Sequence, residues 1–392
     1  METVQAAGDA ATVSTAPAPR VLEIRFTGSG SEYFRIWAVN LLLIVLSCGL
    51  YLPFAKTRRI RYLYANTLID GEALAFHGDA WRMLRGFLLL AVLMVAYTVA
   101  GEFSPAAALP AFLLLCAVWP ALWRAAMQFR LANTSWRGLR LGFEGSLGGA
   151  YAAYLPVFVP WALTVALTPG DGRGPSEDPS VNASVWFSVS VIAAGLLAPW
   201  SAALIKRYQH NGYRIADEQG RIHLRLRSVY FIAFKTLLLG LMMGIAMAFA
   251  SVLVGSVLAL VSTGKIDGKG NGAFYSLAFL GLVYLQLGAV MLPYYTARLQ
   301  NLVWGNTRSS SLRFQSDLTG LVRLTVKNWL LIVATLGLYR PFAVINTVSK
   351  RLQSIRIETS SNPQTWMAPP TRLRTDASGE VAGDFFGVDV GL

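Results

Sequence analysis

The chain is poor in charge, in histidine and in cysteine. Charged residues make up 14% of its 392 residues, whereas hydrophobic residues make up 54%. Soluble domains are about a quarter charged, so this composition excludes one large water-soluble globule and a disordered polyelectrolyte. The two cysteines and three histidines exclude a disulfide framework and argue against a metal cluster.

Acidic residues are missing from the interiors of the long apolar runs. Proton relays and many cation sites in membranes need such a carboxylate, so a proton-driven pump is disfavoured. The chain also contains no Walker A motif, no Gly-x-Ser-x-Gly and no His-Glu-x-x-His. No catalytic residue, cofactor or metal ligand is therefore assigned, and an enzymatic function is disfavoured.

Apolar segments dominate what is present. Six of them approach or exceed the roughly 20 residues that a transmembrane helix needs. They lie at about 84–101, 103–123, 145–168, 183–205, 228–263 and 273–297. Two further segments, near 34–54 and 322–345, are less simple. We predict a membrane domain over 34–358, preceded by a flexible cytoplasmic leader over 1–33 and followed by a cytoplasmic tail over 359–392.

Lysine and arginine are concentrated in alternate connections between these segments. The connections at 55–85, 124–144, 206–227 and 298–327 are strongly basic, whereas the intervening ones contain more acidic than basic residues. The positive-inside rule therefore places the basic connections in the cytoplasm. Because this topology accounts for the net charge of +13, nucleic acid is not expected as a partner.

One sixteen-residue element occurs twice, at 40–55 and 328–343, with eleven identical positions. Its shared polar and backbone-breaking residues are Asn40, Gly49, Tyr51 and Pro53 in the first copy, and Asn328, Gly337, Tyr339 and Pro341 in the second. The two asparagines are candidates for binding an ion or solute beside a helix break. The alternative is that each hydrogen-bonds local backbone or a neighbouring helix.

The two copies conflict with a simple topology. If both crossed the membrane, the even number of spans between them would make them run in opposite directions, and the basic flank of the second would be external. A hairpin resolves the conflict: a short apolar helix, a break at Gly49 or Gly337, and a proline-started helix that returns to the cytoplasm. We favour these two broken hairpins, with six full spans, over eight spans.

A second pattern links a proline to an Asn-Thr pair that begins thirteen residues later. Pro53, Pro120 and Pro293 each show it, and Pro199 leads to a degraded copy at Asn211. The segment between is basic and aromatic, as expected of a helix at the lipid headgroups. Its candidate residues for anionic lipid or a partner protein are Arg58, Arg61, Arg124, Arg130, Arg207 and Arg298. Short Phe-containing segments that follow are consistent with brief hairpins.

These elements resemble the YjgN family of bacterial inner-membrane proteins of unknown function. The Asn…Gly-Leu-Tyr-x-Pro-Phe-Ala element, the Arg58–Arg61 helix, Asn66-Thr67 and the Asp70-Gly71 turn carry the resemblance. It extends from about residue 24 to the end. The resemblance implies a multi-pass protein of the bacterial inner membrane and brings no known activity.

The sequence leaves two functions open on an all-α fold with repeated proline–basic helix–Asn-Thr units. The first is transport or a channel along a path between helices, which the helix breaks favour. The second is a non-catalytic scaffold or a protein that interacts with anionic lipid, which the basic helices favour. The oligomeric state is left open.

The orientation is testable by cysteine labelling. A cysteine at Ser176 should react from outside the cell, and one at Ser309 only after permeabilisation, because the two residues lie in connections of opposite charge character. The opposite pattern would overturn the orientation.

Overall fold

The computed structural model describes residues 20–103, 105–167, 179–261, 279–361 and 366. Within these ranges the chain forms ten helices and twelve short strands. The helices are α1 Gly30–Leu46, α2 Leu52–Ala65, α3 Ala80–Phe103, α4 Pro105–Ala132, α5 Leu147–Leu167, α6 Pro179–Gly212, α7 Leu226–Val261, α8 Phe279–Gly305, α9 Leu321–Ala334 and α10 Arg340–Gln353. The strands are β1 Arg20–Leu22, β2 Ile24–Phe26, β3 Thr67–Ile69, β4 Glu72–Phe76, β5 Thr134–Trp136, β6 Leu139–Phe143, β7 Tyr213–Ile215, β8 Glu218–Gln219, β9 Arg221–Ile222, β10 Thr307–Arg308, β11 Leu312–Ser316 and β12 Ile355–Thr359.

The strands form a closed antiparallel ring. One sheet has the order β2-β3-β4-β5-β6-β7-β8 and the other β1-β12-β11-β10-β9. A single residue joins β1 to β2, and a single residue joins β8 to β9, so the chain passes from one sheet to the other at both ends. We call this closed arrangement the strand ring. Among the described strands, sheet edges remain at β1, β2, β8 and β9, where the chain bends from one sheet into the other.

Five helix–hairpin–helix units make up the strand ring. Four are continuous in the chain: α2 to α3, α4 to α5, α6 to α7 and α8 to α9. The fifth joins the two ends of the described chain, because β12 after α10 pairs with β1 before α1, with Arg20 opposite Thr359. Contacts also connect every consecutive pair of helices and α10 with α1, so a ring of helices stands on the strand ring.

The fold is mostly helical, as predicted, but the strand ring corrects the prediction that it is entirely so. Brief hairpins were expected from the Phe-containing segments, but not their closure into one ring. At two hairpin turns, Asp70-Gly71 and Arg137-Gly138, both residues have positive φ. This is the geometry of the tight turn that suits the right-handed twist of paired strands.

The Asn-Thr pairs end the helices that lead into the strand ring. Asn66 Nδ2 donates to the Tyr62 carbonyl and Thr67 Oγ1 to the Leu63 carbonyl, both at 2.8 Å. The pairs at 133–134 and 306–307 repeat both bonds. Side chains thus satisfy carbonyls that a helix end leaves without a partner.

One backbone hydrogen bond recurs in all five units. The donor is the N–H of the residue that directly follows the last strand of a hairpin. The acceptor is a carbonyl in the next unit, on the residue thirteen positions after that unit's proline, at 2.7 to 3.3 Å. The five pairs are Thr27 with Asn66, His77 with Asn133, Glu144 with Gly212, His223 with Asn306, and Asp317 with Ser354. Gly212 and Ser354 therefore stand where the other units have asparagine. The unit that begins at Pro341 was missed in the sequence.

Six long helices, α3 to α8, lie where the sequence predicts full spans. Five of them contain stretches that are long and apolar enough to cross a membrane: Ala80–Val99, Pro110–Ala132, Val185–Gly212, Leu226–Leu253 and Phe279–Gly305. The described apolar part of α5, Leu147–Leu163, is shorter. The sixth crossing remains a prediction.

The predicted leader boundary at residue 33 is wrong. Residues 20–26 form strands of the ring, and α1 begins at Gly30 with Ser29 capping it, because these residues complete the fifth unit. The predicted tail boundary is also corrected, since residue 359 belongs to β12. The remainder of the leader, most of the tail and the connection containing Ser176 lie outside the described residues.

Both copies of the sixteen-residue element contain the predicted helix break. After α1 the Gly49 N–H donates to the Ile44 carbonyl at 2.8 Å, and after α9 the Gly337 N–H donates to the Ile332 carbonyl at 2.7 Å. These bonds close a Schellman motif. The glycine φ angles are +91° and +95°, and the residue before each glycine, Cys48 or Leu336, is also left-handed.

Gly49→Val and Gly337→Val should each destabilise the protein, by about 1–3 kcal/mol, because a side chain with a branched Cβ strains a left-handed backbone. Thermal unfolding in detergent measures this. Gly244→Val is the matched control, since Gly244 lies within α7 with open space around its Cβ position. Unchanged stability in both break variants would contradict the role of these glycines.

Candidate functional site

The two asparagines of the repeated element are buried between helices. Asn40 is 7% exposed and Asn328 is 3% exposed. Asn328 Nδ2 donates to the Ala343 carbonyl and to Thr347 Oγ1, both at 3.4 Å, which ties α9 to α10. The Oδ1 atoms of Asn40 and Asn328 accept no hydrogen bond from described residues. Asn328 thus connects the two helices of its hairpin.

Tyrosine and proline shape the return from each break. Tyr51 stacks on Phe54 and Tyr339 on Phe342, with ring centroids 5.5 Å apart in both copies. Pro53 and Pro341 lie in the first turn of α2 and α10. A backbone N–H at this position would have no acceptor within the helix, so the missing N–H of proline costs no hydrogen bond. These four residues are therefore part of the hairpin structure.

Three of the predicted lipid-binding arginines are engaged within the protein. Arg61, Arg124 and Arg207 donate to the carbonyls of Gly78, Gly145 and Leu224. These three acceptors directly follow His77, Glu144 and His223, the residues whose N–H groups donate the recurring bond between units. The sequence proposes these arginines for anionic lipid or a partner protein, and in the structure each also holds a hairpin end against its own helix.

Arg130 also belongs to the interior. Its Nε donates to the Tyr64 hydroxyl at 2.8 Å, and its guanidinium lies 5.7 Å from the centre of the Tyr64 ring. Arg58 and Arg298 are exposed, each over a tyrosine of its own helix. Arg61 is exposed as well, although one of its nitrogens bonds the Gly78 carbonyl.

A cavity of about 220 Å³ lies inside the strand ring. Alternate residues of the strands point into it, as the two-residue period of a strand requires. Its apolar lining includes Leu22, Leu74, Trp136, Ile215, Leu312 and Ile357. For comparison, an apolar cavity of about 150 Å³ can hold benzene. The strand ring thus offers a mostly apolar, partly open site for an apolar group.

Trp366 closes part of this cavity. It packs against the buried cluster that contains Leu22 and Trp136, and its ring centroid is 6.0 Å from that of Trp136. Its indole N–H donates to Ser361 Oγ at 2.9 Å, and the Ser361 hydroxyl in turn donates to Ser311 Oγ. A residue from beyond the last strand therefore contributes an aromatic wall.

Polar contacts lock the ring where the hairpins meet. Asp70 at the first hairpin turn accepts bonds from Arg20 and from Arg137 at the second turn, all within 2.9 Å. Glu144 pairs with Arg214 of β7. These ion pairs connect strands of successive units around the ring.

Glu218 makes the corresponding connection from β8 to the turn between β10 and β11. Its carboxylate accepts hydrogen bonds from Ser309, from Ser310 at 2.7 Å, and from the hydroxyl and N–H of Ser311. Burial by itself raises the pKa of Glu218, but the bonds from Ser309, Ser311 and Ser310 hold that pKa below its usual value of 4.5.

Sequence reasoning missed the cavity because its lining comes from strands in all five units. The available signal was local alternation, as in Leu312-Arg313-Phe314 and Ile355-Arg356-Ile357. Such short runs predict strands but not which strands meet. Among the described residues, no three His, Cys, Asp or Glu side chains come together to hold a metal ion.

The long apolar helices define an integral membrane protein. The chain belongs to the family described as "Bacterial protein of unknown function (DUF898)", whose model matches residues 21–385. It is 25% identical over 363 residues to the Inner membrane protein YjgN of Salmonella typhimurium, which covers 85% of this chain and 87% of that protein. The Escherichia coli K12 protein of the same name is 28% identical over 147 residues, 36% of this chain and 35% of that protein.

These relatives confirm the resemblance to the YjgN family. No solved structure matches the chain.

Glu218→Gln should lower the unfolding temperature at pH 7, because the neutral amide accepts the serine bonds more weakly. We expect about 1 kcal/mol, since the carboxylate is partly exposed and its charge is screened. The native bonds favour the ionised form, so their contribution is complete above pH 4.5 and is lost as the pH falls through the lowered pKa.

The difference between wild type and Glu218→Gln should therefore shrink in acid. Thermal unfolding in detergent between neutral and acidic pH measures it. Asp217→Asn, at an exposed neighbour, is the matched control and should leave the unfolding temperature nearly unchanged. If the difference in unfolding temperature between wild type and Glu218→Gln stays constant with pH, the stabilising role of the ionised Glu218 carboxylate is contradicted.

Proposed function

We propose that this protein is a non-catalytic protein of the bacterial inner membrane that binds an acyl chain in the cavity of its strand ring. The apolar cavity inside the closed strand ring carries this proposal. It develops the lipid-interacting alternative from the sequence, but with the ligand inside the ring instead of on the basic helices.

The lining of the cavity supports an apolar ligand. Leucine, isoleucine and aromatic side chains form most of its wall, so a bound chain would exchange water for apolar contacts over most of its surface. The charged residues along the cavity already have partners: Arg130 bonds Tyr64, Arg214 pairs with Glu144, and Glu218 accepts the serine bonds. Because these charged side chains have partners within the protein, none of them requires a charged ligand.

Six full spans and two re-entrant hairpins are the proposed topology, with the strand ring in the cytoplasm. α2 has 14 residues and a length of about 21 Å, shorter than a bilayer core of about 30 Å. Apolar residues lie exposed at both hairpin tips, including Leu336 at 95%. This exposure suits tips that end within lipid. The basic connections support the cytoplasmic side for the ring.

A second candidate function is solute transport along the two short hairpins. One observation favours it: both asparagine oxygens, on Asn40 and Asn328, are buried without a hydrogen-bond donor among the described residues. Buried polar atoms without a partner are rare, and these oxygens can accept a hydrogen bond from a transported solute. Solute uptake into proteoliposomes tests this function, with Asn40→Ala expected to reduce it.

A photoreactive dodecanoate tests the acyl-chain site. In wild-type protein we expect crosslinks to peptides that contain cavity-lining residues, such as Leu74 or Leu312. Leu312→Trp should reduce this labelling severalfold, because the larger side chain fills the cavity. Trp366→Ala should increase it, because it removes one wall and enlarges the space.

Leu50→Trp is the matched control, since Leu50 lies exposed at the first hairpin tip. Labelling should be unchanged in this variant. Crosslinks confined to the membrane helices, or equal labelling in Leu312→Trp and wild type, would refute the cavity as the binding site.

A further inference from the structure

Arginines lie directly opposite one another on the outer wall of the strand ring. Arg308 of β10 is paired in register with Arg221 of β9 on one side and with Arg313 of β11 on the other. All three side chains are exposed. Residues opposite each other in antiparallel strands have Cβ atoms about 4.5–5.5 Å apart, and like charges there are destabilising.

No ion pair within 4 Å holds an arginine of this row in the described structure. Arg221, Arg308 and Arg313 form no ion pair and donate no side-chain hydrogen bond to another described residue. Glu358 of β12 lies opposite Arg313 in register, but its carboxylate accepts a bond from Gln315 instead.

The rest of the ring treats arginine differently. Arg20 and Arg137 share Asp70, and Arg214 pairs with Glu144. Arg25 of β2 and Arg140 of β6 are exposed and lie in no ion pair among the described residues, but they face Leu68 and Ser135 in register and not another arginine. The row on β9 to β11 differs from them because its like charges are direct neighbours across the strands, which is unfavourable for folding.

A depression of about 520 Å³ lies beside Arg221 and Arg308, and Arg313 is outside its lining. It is lined by Arg221 and Arg308 together with the polar side chains of His223, Asn306 and Gln219. Asp217 lies at the same depression, so the site is not purely cationic. Neutral and cationic hydrogen-bond donors around a concave surface suit an anion with several oxygens.

We propose that Arg221, Arg308 and Arg313 form a phosphate-binding site on the outer wall of the ring. The planar guanidinium groups can each donate two parallel hydrogen bonds to a phosphate, which also removes their mutual repulsion. The phosphate belongs either to a lipid headgroup or to a free phosphorylated molecule. This site faces away from the cavity and does not depend on the acyl-chain proposal.

Binding is measured with purified full-length protein in nanodiscs, by the shift in its unfolding temperature. One arm adds inorganic pyrophosphate to phosphatidylcholine nanodiscs. The other replaces part of the phosphatidylcholine by phosphatidylglycerol. A shift in the first arm identifies a free phosphate as the ligand class, and a shift in the second arm alone identifies a lipid headgroup.

The test variant is Arg308→Gln with Arg313→Gln. It should weaken binding about tenfold or more, since two charge-assisted contacts are lost. Without ligand its unfolding temperature should equal or exceed that of wild type, because like charges have been removed. Arg308→Lys with Arg313→Lys keeps the charges, and should weaken binding less than the glutamine pair but measurably, because lysine lacks the planar fork.

The matched control is Arg25→Gln with Arg140→Gln, which removes two exposed strand arginines elsewhere on the ring. This pair should change binding by no more than about twofold, the size of a screened surface effect. Equal weakening by the control and test pairs would overturn the site in favour of general charge attraction. The absence of a shift with either ligand in wild type would also overturn it.

Discussion

The fold depends on the pairing of β12 with β1. This pairing joins residues near 20 to residues near 359 and turns the two ends of the described chain into the fifth unit. Without it the chain would contain four units and an open sheet, with unpaired backbone groups at both edges. Strands of two to five residues have little stability of their own, so closure is what allows them to persist.

The same constraint explains the recurring bond between units. Each hairpin ends by donating to the last turn of the next unit's incoming helix, so every helix end is fixed by a neighbour. The residue that offers its carbonyl can be asparagine, glycine or serine, since only backbone atoms take part. The asparagines add a second bond to their own helix, which explains their preference without making them essential.

Arginine serves three purposes in this one ring. Arg61, Arg124 and Arg207 bind carbonyls at the hairpin ends. Arg20, Arg137 and Arg214 pair with carboxylates between strands. The row on β9 to β11 does neither. Charge counts along the sequence do not distinguish these three kinds of contact.

The sequence by itself determined the membrane class, the positions of the long helices and the breaks at Gly49 and Gly337. These features follow from local properties: the length of an apolar run, and a glycine followed by Leu-Tyr-x-Pro. The thirteen-residue spacing after proline also marked the repeated helix ends, and applying it to Pro341 would have found the fifth unit at Ser354.

Only the tertiary structure decided that the hairpins close into a ring, that residues 20–26 belong to it, and that a cavity lies inside. Strand pairing between residues more than 300 positions apart leaves no local pattern, because short strands carry alternation but no record of their partners. The roles of the arginines were hidden for the same reason. Whether a guanidinium meets a carbonyl, a carboxylate or another guanidinium depends on the register between strands and helices that are distant in the chain.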